Sequence, residues 1–174
     1  MNFRRVRCGV LFLGDRLACA VIEGSRVEAF TLDAEDATTA LRAQLDARNL
    51  APRTVALGLS RAGVTVKPIE LPPVEGETRS MVRFELERHL PFPADDAPFD
   101  FVPLPPPPAG RPDGRRVLVA AADRRLVERV LGLARDAKLR PMSVTIAAHD
   151  LVGLVATERR RRVVRMDPHE IESW

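Results

Sequence analysis

Histidine, cysteine, serine and paired carboxylates would carry the chemistry of a chain this size, and here they are few and scattered. The three histidines, His89, His149 and His169, have no HExxH or His-x-His spacing. They therefore neither share a helix face for a metal nor sit as a base beside a nucleophile, and each reads as a surface or capping residue. Ser60 lacks the GxSxG elbow that would expose a nucleophile on a strained turn. Asp95 and Asp96 are adjacent, so a strand would send them to opposite faces and a loop would use them as turn caps. An acid/base pair does not follow. Gly58-Leu-Ser-Arg-Ala-Gly63 has the two glycines of a phosphate loop but not the lysine that grips phosphate, and it reads as a strand-to-strand turn. No GxGxxG dinucleotide motif occurs. These residues predict no catalytic group, no metal site and no cofactor.

The bulk properties point the same way. The chain has 174 residues, 45% hydrophobic and 29% charged, which suits one large domain or two small ones with a real core. A net charge of +3, from 27 basic and 24 acidic residues, does not make a nucleic-acid binder. The strongly basic spot is Arg159 to Arg162, which could meet phosphate, lipid headgroups or an acidic partner. It reads equally as a solvated helix end, and with no tyrosine in the chain and no aromatic residue beside it, base stacking is not expected. No apolar run reaches the roughly 20 residues of a membrane span, and Val10 to Leu13 is too short for a signal-peptide core. A cytoplasmic protein is expected, touching a membrane only through a partner or a segment not in this chain. Cys8 and Cys19 are the two cysteines. With Gly14-Asp15 as a two-residue turn, Cys8 faces Val21 and Cys19 faces Val10, a diagonal relation about 7–8 Å across that predicts free thiols, not a disulfide.

Elements must position whatever surface does the work. Val6 to Leu13 and Leu17 to Ile22 read as a hairpin whose first strand is apolar on both faces, the pattern of a strand covered on both sides. Val27 to Leu32 follows as a strand. Asp33 to Asn49 reads as a helix capped by Asp33, with Ala37, Leu41 and Leu45 at four-residue steps. Thr54 to Leu59 and Val64 to Leu71 are strands, and Pro72-Pro73 with Gly76 marks a boundary. Glu77 to Leu90 is a helix stopped by Pro91, with Val82, Leu86 and Leu90 on one stripe. Phe99 to Leu104 and Arg116 to Ala121 are strands around a stiff loop at 105–114. Asp123 to Ala137 is a helix capped by Asp123, Met142 to Ala147 a strand, and His149 to Ala156 a helix, with a new strand from Val163 to Met166. The fold class is α/β, in the mixed α+β sense, with one sheet subdomain at 1–73, a smaller α-β-β-α-β subdomain at 74–147, and a connecting segment at 148–174.

The stretch Met81-Val-Arg-Phe-Glu85-Leu-Glu-Arg-His-Leu-Pro91-Phe92-Pro93, followed by Phe99-Asp100-Phe101-Val102, resembles the PilM family of type IV pilus assembly proteins and the related cytoplasmic domain of the type II secretion protein GspL. Leu71-Pro72-Pro73, Glu85, Pro91-Phe92-Pro93, Asp95 and Asp100-Phe101 stand at the positions of that pattern. Pro91, Phe92, Pro93, Asp100 and Phe101 are its structural signature, with Phe92 expected to plug the corner of the smaller subdomain. The strand-to-helix step from Val117 to Asp123 and the segment Leu139 to Ile146 continue the resemblance, which covers most of residues 5–155.

The resemblance implies the first half of an actin-like fold. In place of the family's glycine- and serine-rich phosphate turn, this chain has Leu13-Gly14-Asp15-Arg16, a degenerate turn at Gly14 and Asp15. The family's second half, with the other phosphate loop and the adenosine pocket, has no counterpart before Trp174, so the chain is expected to be a fragment or a shortened member. No cofactor, ATP included, is expected on it. The implied function is a non-catalytic cytoplasmic scaffold or adaptor at the inner membrane, taking the cytoplasmic tail of a membrane partner, the secretion ATPase, or both. Leu71, Pro72, Met81, Phe84, Glu85 and Arg88, around the Pro72-Pro73 junction and the following helix, are the partner-binding residues it suggests. A nucleotide-binding ATPase cut short is the second reading. A lipid or nucleic-acid binder acting through Arg159 to Arg162 is the third.

Overall fold

A computed structural model describes residues 6–35, 37–72, 77–93, 97–105, 115–147 and 165–166. These residues hold nine strands, which form two sheets, three α-helices and a single 3-10 turn at Arg61–Gly63. The order is β1 (Val6–Phe12), β2 (Arg16–Glu23), β3 (Arg26–Asp33), α1 (Ala37–Ala47), β4 (Thr54–Leu59), β5 (Val64–Leu71), α2 (Thr78–Leu86), β6 (Phe99–Leu104), β7 (Arg115–Ala122), α3 (Arg124–Asp136), β8 (Arg140–Ile146) and β9 (Arg165–Met166). The larger sheet runs β3-β2-β1-β4-β8-β9, and the smaller one runs β5-β7-β6.

Two glycines set the first meander. Gly14 at φ 91° and Gly24 at φ 63° supply the positive φ that a two-residue hairpin needs at its first position. The resulting register opposes Cys8 to Val21 and Val10 to Cys19, as the turn predicts. β4 and β8 then add in parallel beside β1. Both are entered by the same device. α1 ends with Asn49 at φ 54° and α3 with Lys138 at φ 56°, and in each case the amide of the next residue reaches back five positions: Leu50 N–H to Leu45 O, and Leu139 N–H to Ala134 O, 2.9 and 2.8 Å. This six-to-one bond closes the helix and drops a buried leucine, Leu50 or Leu139, into the core just before the strand begins. Arg140 N–H donates to Arg53 O at 2.9 Å and aligns the two strand entries.

α1 and α3 cover one face of the large sheet. Leu41 and Leu45 from α1 and Val127, Val130, Leu131 and Ala134 from α3 pack on Cys8, Val10, Phe12, Leu17, Leu57 and Val144. The other face is more open than the double-sided apolar pattern of β1 predicts. Leu11 is half-buried and Leu13 is 48% exposed, because both helices lie on the same side. A second core forms where α2 crosses the small sheet, with Val82 and Leu86 against Ile69, Leu71, Phe99, Val117, Val119 and Ala121.

The strands β4, β5 and β6 have the limits read from sequence, and Asp123 caps α3 by accepting the Arg125 N–H at 2.7 Å. Elsewhere the structure corrects the reading. Asp33 pairs with Arg16 at the end of β3 and does not cap α1, because the β2–β3 register carries the strand that far. The α-helical part of α2 ends at Leu86, not Leu90. Residues 87–89 tighten, with Arg88 N–H to Glu85 O at 3.2 Å and His89 N–H to Leu86 O at 2.8 Å, while Leu90 N–H still reaches Leu86 O at 3.1 Å just before Pro91. Two strands sit across the boundaries drawn at 73 and 147: β5 pairs with β7 in the small sheet, and β8 lies in the large one. The expected helix at 149–156, the loop at 106–114, Asp95 and the Arg159 to Arg162 run lie outside the described residues.

Candidate partner-binding face on helix α2

α2 is amphipathic, and its two faces do different things. Val82 and Leu86 are 0% and 1% exposed and anchor it to the small sheet. Arg79 and Arg83, one turn apart, bracket the Phe99 ring, their guanidiniums 4.7 and 5.6 Å from its centroid. Arg79 also donates to Phe99 O at 3.3 Å. The buried phenylalanine of this corner is therefore Phe99, 3% exposed, while Phe92 is only half-buried between exposed Pro91 and Pro93 and is not part of the second core. Pro91 and Pro93 fix the Phe92 backbone but do not bury its ring, whereas the arginine pair spaced i, i+4 on α2 aims at a ring across the sheet.

Phe84 points the other way. At 100° per residue it lies opposite the Val82–Leu86 seam, and it is 62% exposed. Arg88 lies over its ring, 5.8 Å from the centroid, and pairs with Glu85 at 3.5 Å. Met81 is half-buried beside this face, its Sδ 4.0 Å from the Arg115 guanidinium. Pro72 is exposed where β5 ends. Five of the six residues singled out for partner binding thus reach the surface. Leu71 does not: it is 3% exposed in the second core, since it alternates inward with Ile69 along β5. Asp100 turns back on its own strand, its Oδ1 accepting the Phe101 N–H at 2.9 Å, and Phe101 packs on the second core.

The other candidates have structural places. At the Gly14-Asp15 turn, Leu13 N–H donates to Arg16 O and Asp15 O accepts from Ala34 N–H, both at 2.8 Å, which ties the turn to β3. Gly58 to Gly63 joins β4 to β5, as read. A Cβ on Gly63 would lie 2.4 Å from Leu126 Cδ2 on α3, so any side chain there needs the end of Leu126 to move aside. Cys8 and Cys19 are free and buried. Their sulfurs are 4.0 Å apart, closer than the diagonal spacing suggests because the side chains lean together, and contact with Cys8 and burial push the Cys19 thiol well above its usual pKa. His89 is half-buried. Among the described residues no three His, Cys, Asp or Glu side chains gather to hold a metal, and no helix is long and apolar enough to cross a membrane.

Comparison with known proteins gives this surface its context. No curated protein sequence matches the chain significantly. Among solved structures, a chain of the PilM–PilN type IV pilus biogenesis complex superposes with a TM-score of 0.68 at 24% identity, covering 88% of this chain and 51% of that one. The cytoplasmic domain of EpsL, an inner membrane component of the type II secretion system of Vibrio cholerae, superposes at 0.59 with 17% identity, covering 80% and 56%. The fold is therefore that of about half of these actin-like chains, and this chain spans about half the length of the solved relatives it matches. Residues 10–164 match the family described as type IV pilus assembly protein PilM, a span that runs from within β1 through β8 and takes in the whole small sheet and α1 to α3. On that match the chain belongs to the PilM family of type IV pilus assembly proteins.

Proposed function

We propose that this chain is a non-catalytic cytoplasmic docking module of a type IV pilus assembly platform, held at the inner membrane by the tail of a membrane partner that binds the outer face of α2. The observation that carries the proposal is Phe84. A phenylalanine 62% exposed, opposite a well-packed helix seam, does not serve the fold. A large exposed aromatic flanked by Arg88, Glu85 and Met81 is the composition of an interface centre with a polar margin. The solved relative in complex with PilN supports the choice of partner. In this reading the small sheet with α2, between Val64 and Ala122, is an inserted unit that presents the docking helix. Titration of the chain with a peptide of the partner's cytoplasmic tail tests it. Saturable binding lost on Phe84→Ala supports the proposal, and no binding, with the chain folded, rejects it.

The second reading, a nucleotide-binding module within a longer actin-like protein, draws on the fold and on the half-length match to the solved relatives. Calorimetry with Mg-ATP separates the two. Binding by this chain alone would favour the nucleotide reading, and it would have to use a turn of two residues, Gly14 and Asp15, without a hydroxyl side chain.

A further inference from the structure

The outer edge of β3 has a geometry suited to taking another strand. In a two-residue hairpin the closing pair is hydrogen-bonded, so Glu23 and Arg26 exchange bonds, and the alternation sets Glu28, Phe30 and Leu32 toward β2. Leu13 N–H donating to Arg16 O fixes the same phase from the first hairpin, because it turns Arg16, Ala18 and Ala20 toward β1 and Leu17, Cys19 and Val21 toward β3. The backbone groups of Val27, Ala29 and Thr31 therefore point away from the sheet, and among the described residues no strand pairs with them. Edge strands are ordinarily guarded by lysine, proline, a bulge or an inward charge. β3 is eight residues without lysine or proline and its pairing to β2 is unbroken. Val27, Ala29 and Thr31 are uncharged and exposed, Val27 at 65%, and the charged Asp33 comes only at the strand's end. Glu28, on the face of Phe30 and Leu32, is an inward charge that any added strand must meet with a cation.

We infer that this edge binds a second copy of the chain, β3 against β3 in antiparallel fashion about a two-fold axis at Ala29. Only registers that oppose outward-bonding residues form the ladder, and centring on Ala29 opposes Val27 to Thr31 of the other copy. Each such pair exchanges an N–H···O bond in both directions. The same register sets Glu28 opposite Phe30 of the second copy, in a non-hydrogen-bonded pair where side chains come closest. That ring carries the Arg48 guanidinium 4.4 Å from its centroid. Glu28, already paired with Arg26 at 3.1 Å, thus meets an arginine across the axis, twice by symmetry, and no like charges face one another. A register centred on Glu28 would oppose the two glutamates, one centred on Phe30 would bring the two Arg48 guanidiniums together, and one centred on Val27 would run out at the Gly24-Ser25 turn, which selects the one centred on Ala29. The charge complementarity is what commits the edge to a second copy and not to an unrelated peptide.

Sedimentation equilibrium of the full chain, with amide hydrogen exchange at low and high concentration, tests this. A dimer is expected in which the Val27, Ala29 and Thr31 amides exchange at least about tenfold more slowly at high concentration. Ala29→Pro removes only an outward N–H, so it should leave the melting temperature nearly unchanged and weaken the dimer by at least about tenfold. Glu28→Arg should weaken it as well, and Glu28→Arg with Arg48→Glu should restore it, which a purely structural role for either residue would not do. A chain that stays monomeric at every concentration overturns the inference. So does a dimer indifferent to Ala29→Pro, and so does protection of these three amides only on adding a partner's tail peptide.

Discussion

Replacing Phe84 by alanine separates docking from stability, and the structure gives the size of both effects. The ring is 62% exposed, so the share a partner can still cover is more than half of the roughly 200 Å² that a phenylalanine buries. At about 25 cal/mol per Å² that area is worth up to about 3 kcal/mol, near a hundredfold in Kd. Ordering the tail and Arg88 takes part of this, which leaves an expected loss of at least about tenfold. The same change should cost the fold less than about 1 kcal/mol, since little of the ring is inside. Leu86→Ala, one half-turn away and 1% exposed, should do the reverse to stability and cost about 2–5 kcal/mol. Calorimetric titration with the partner's cytoplasmic tail and thermal melts of the three proteins are the assays. If Phe84→Ala binds the tail like the parent chain, the outer face of α2 is not the docking surface. If it destabilises as much as Leu86→Ala, the division of the helix into an anchoring and a presenting face is wrong.

Three other outcomes are expected. Gly63→Ala puts a methyl 2.4 Å from Leu126 Cδ2, the free end of a half-buried side chain that can turn aside, and should cost less than about 1 kcal/mol, as urea titration would show; a larger loss would mean that the Leu126 rotamer is locked. Lys138→Gly removes the strain of an L-residue at φ 56° where α3 closes, and should raise stability by up to about 1 kcal/mol; a lower melting temperature would contradict it. Arg42 holds the Asp46 carboxyl below the usual carboxylate range through their i, i+4 hydrogen bond. A depressed folded-state pKa contributes stability above the unfolded pKa and loses it as pH falls through the folded value. The acid-side loss should therefore be smaller in Arg42→Ala, and the Asp46 titration followed by NMR should move up toward the ordinary range.

Much of the fold is legible because its causes are local. Gly14 and Gly24 force hairpin turns, and with the turn fixed the register of Cys8 with Val21 follows by counting. Asp123 caps α3 because its side chain reaches an amide two residues on. Phe84 is singled out through the family resemblance and expected beside the Val82 and Leu86 stripe; at 100° per residue it lies opposite that seam, 62% exposed. The sequence could not decide what depends on a partner distant in the chain. An apolar alternation such as β5 says that one face is buried, not which sheet will bury it, so β5 and β8 ended in sheets other than those expected. The same gap placed Leu71 inside and the Phe99 ring, not Phe92, under Arg79 and Arg83. It also hid the edge of β3, which no other strand among the described residues pairs with, because an edge exists only once every strand has found its neighbour, and that is settled by long-range pairing in the folded chain.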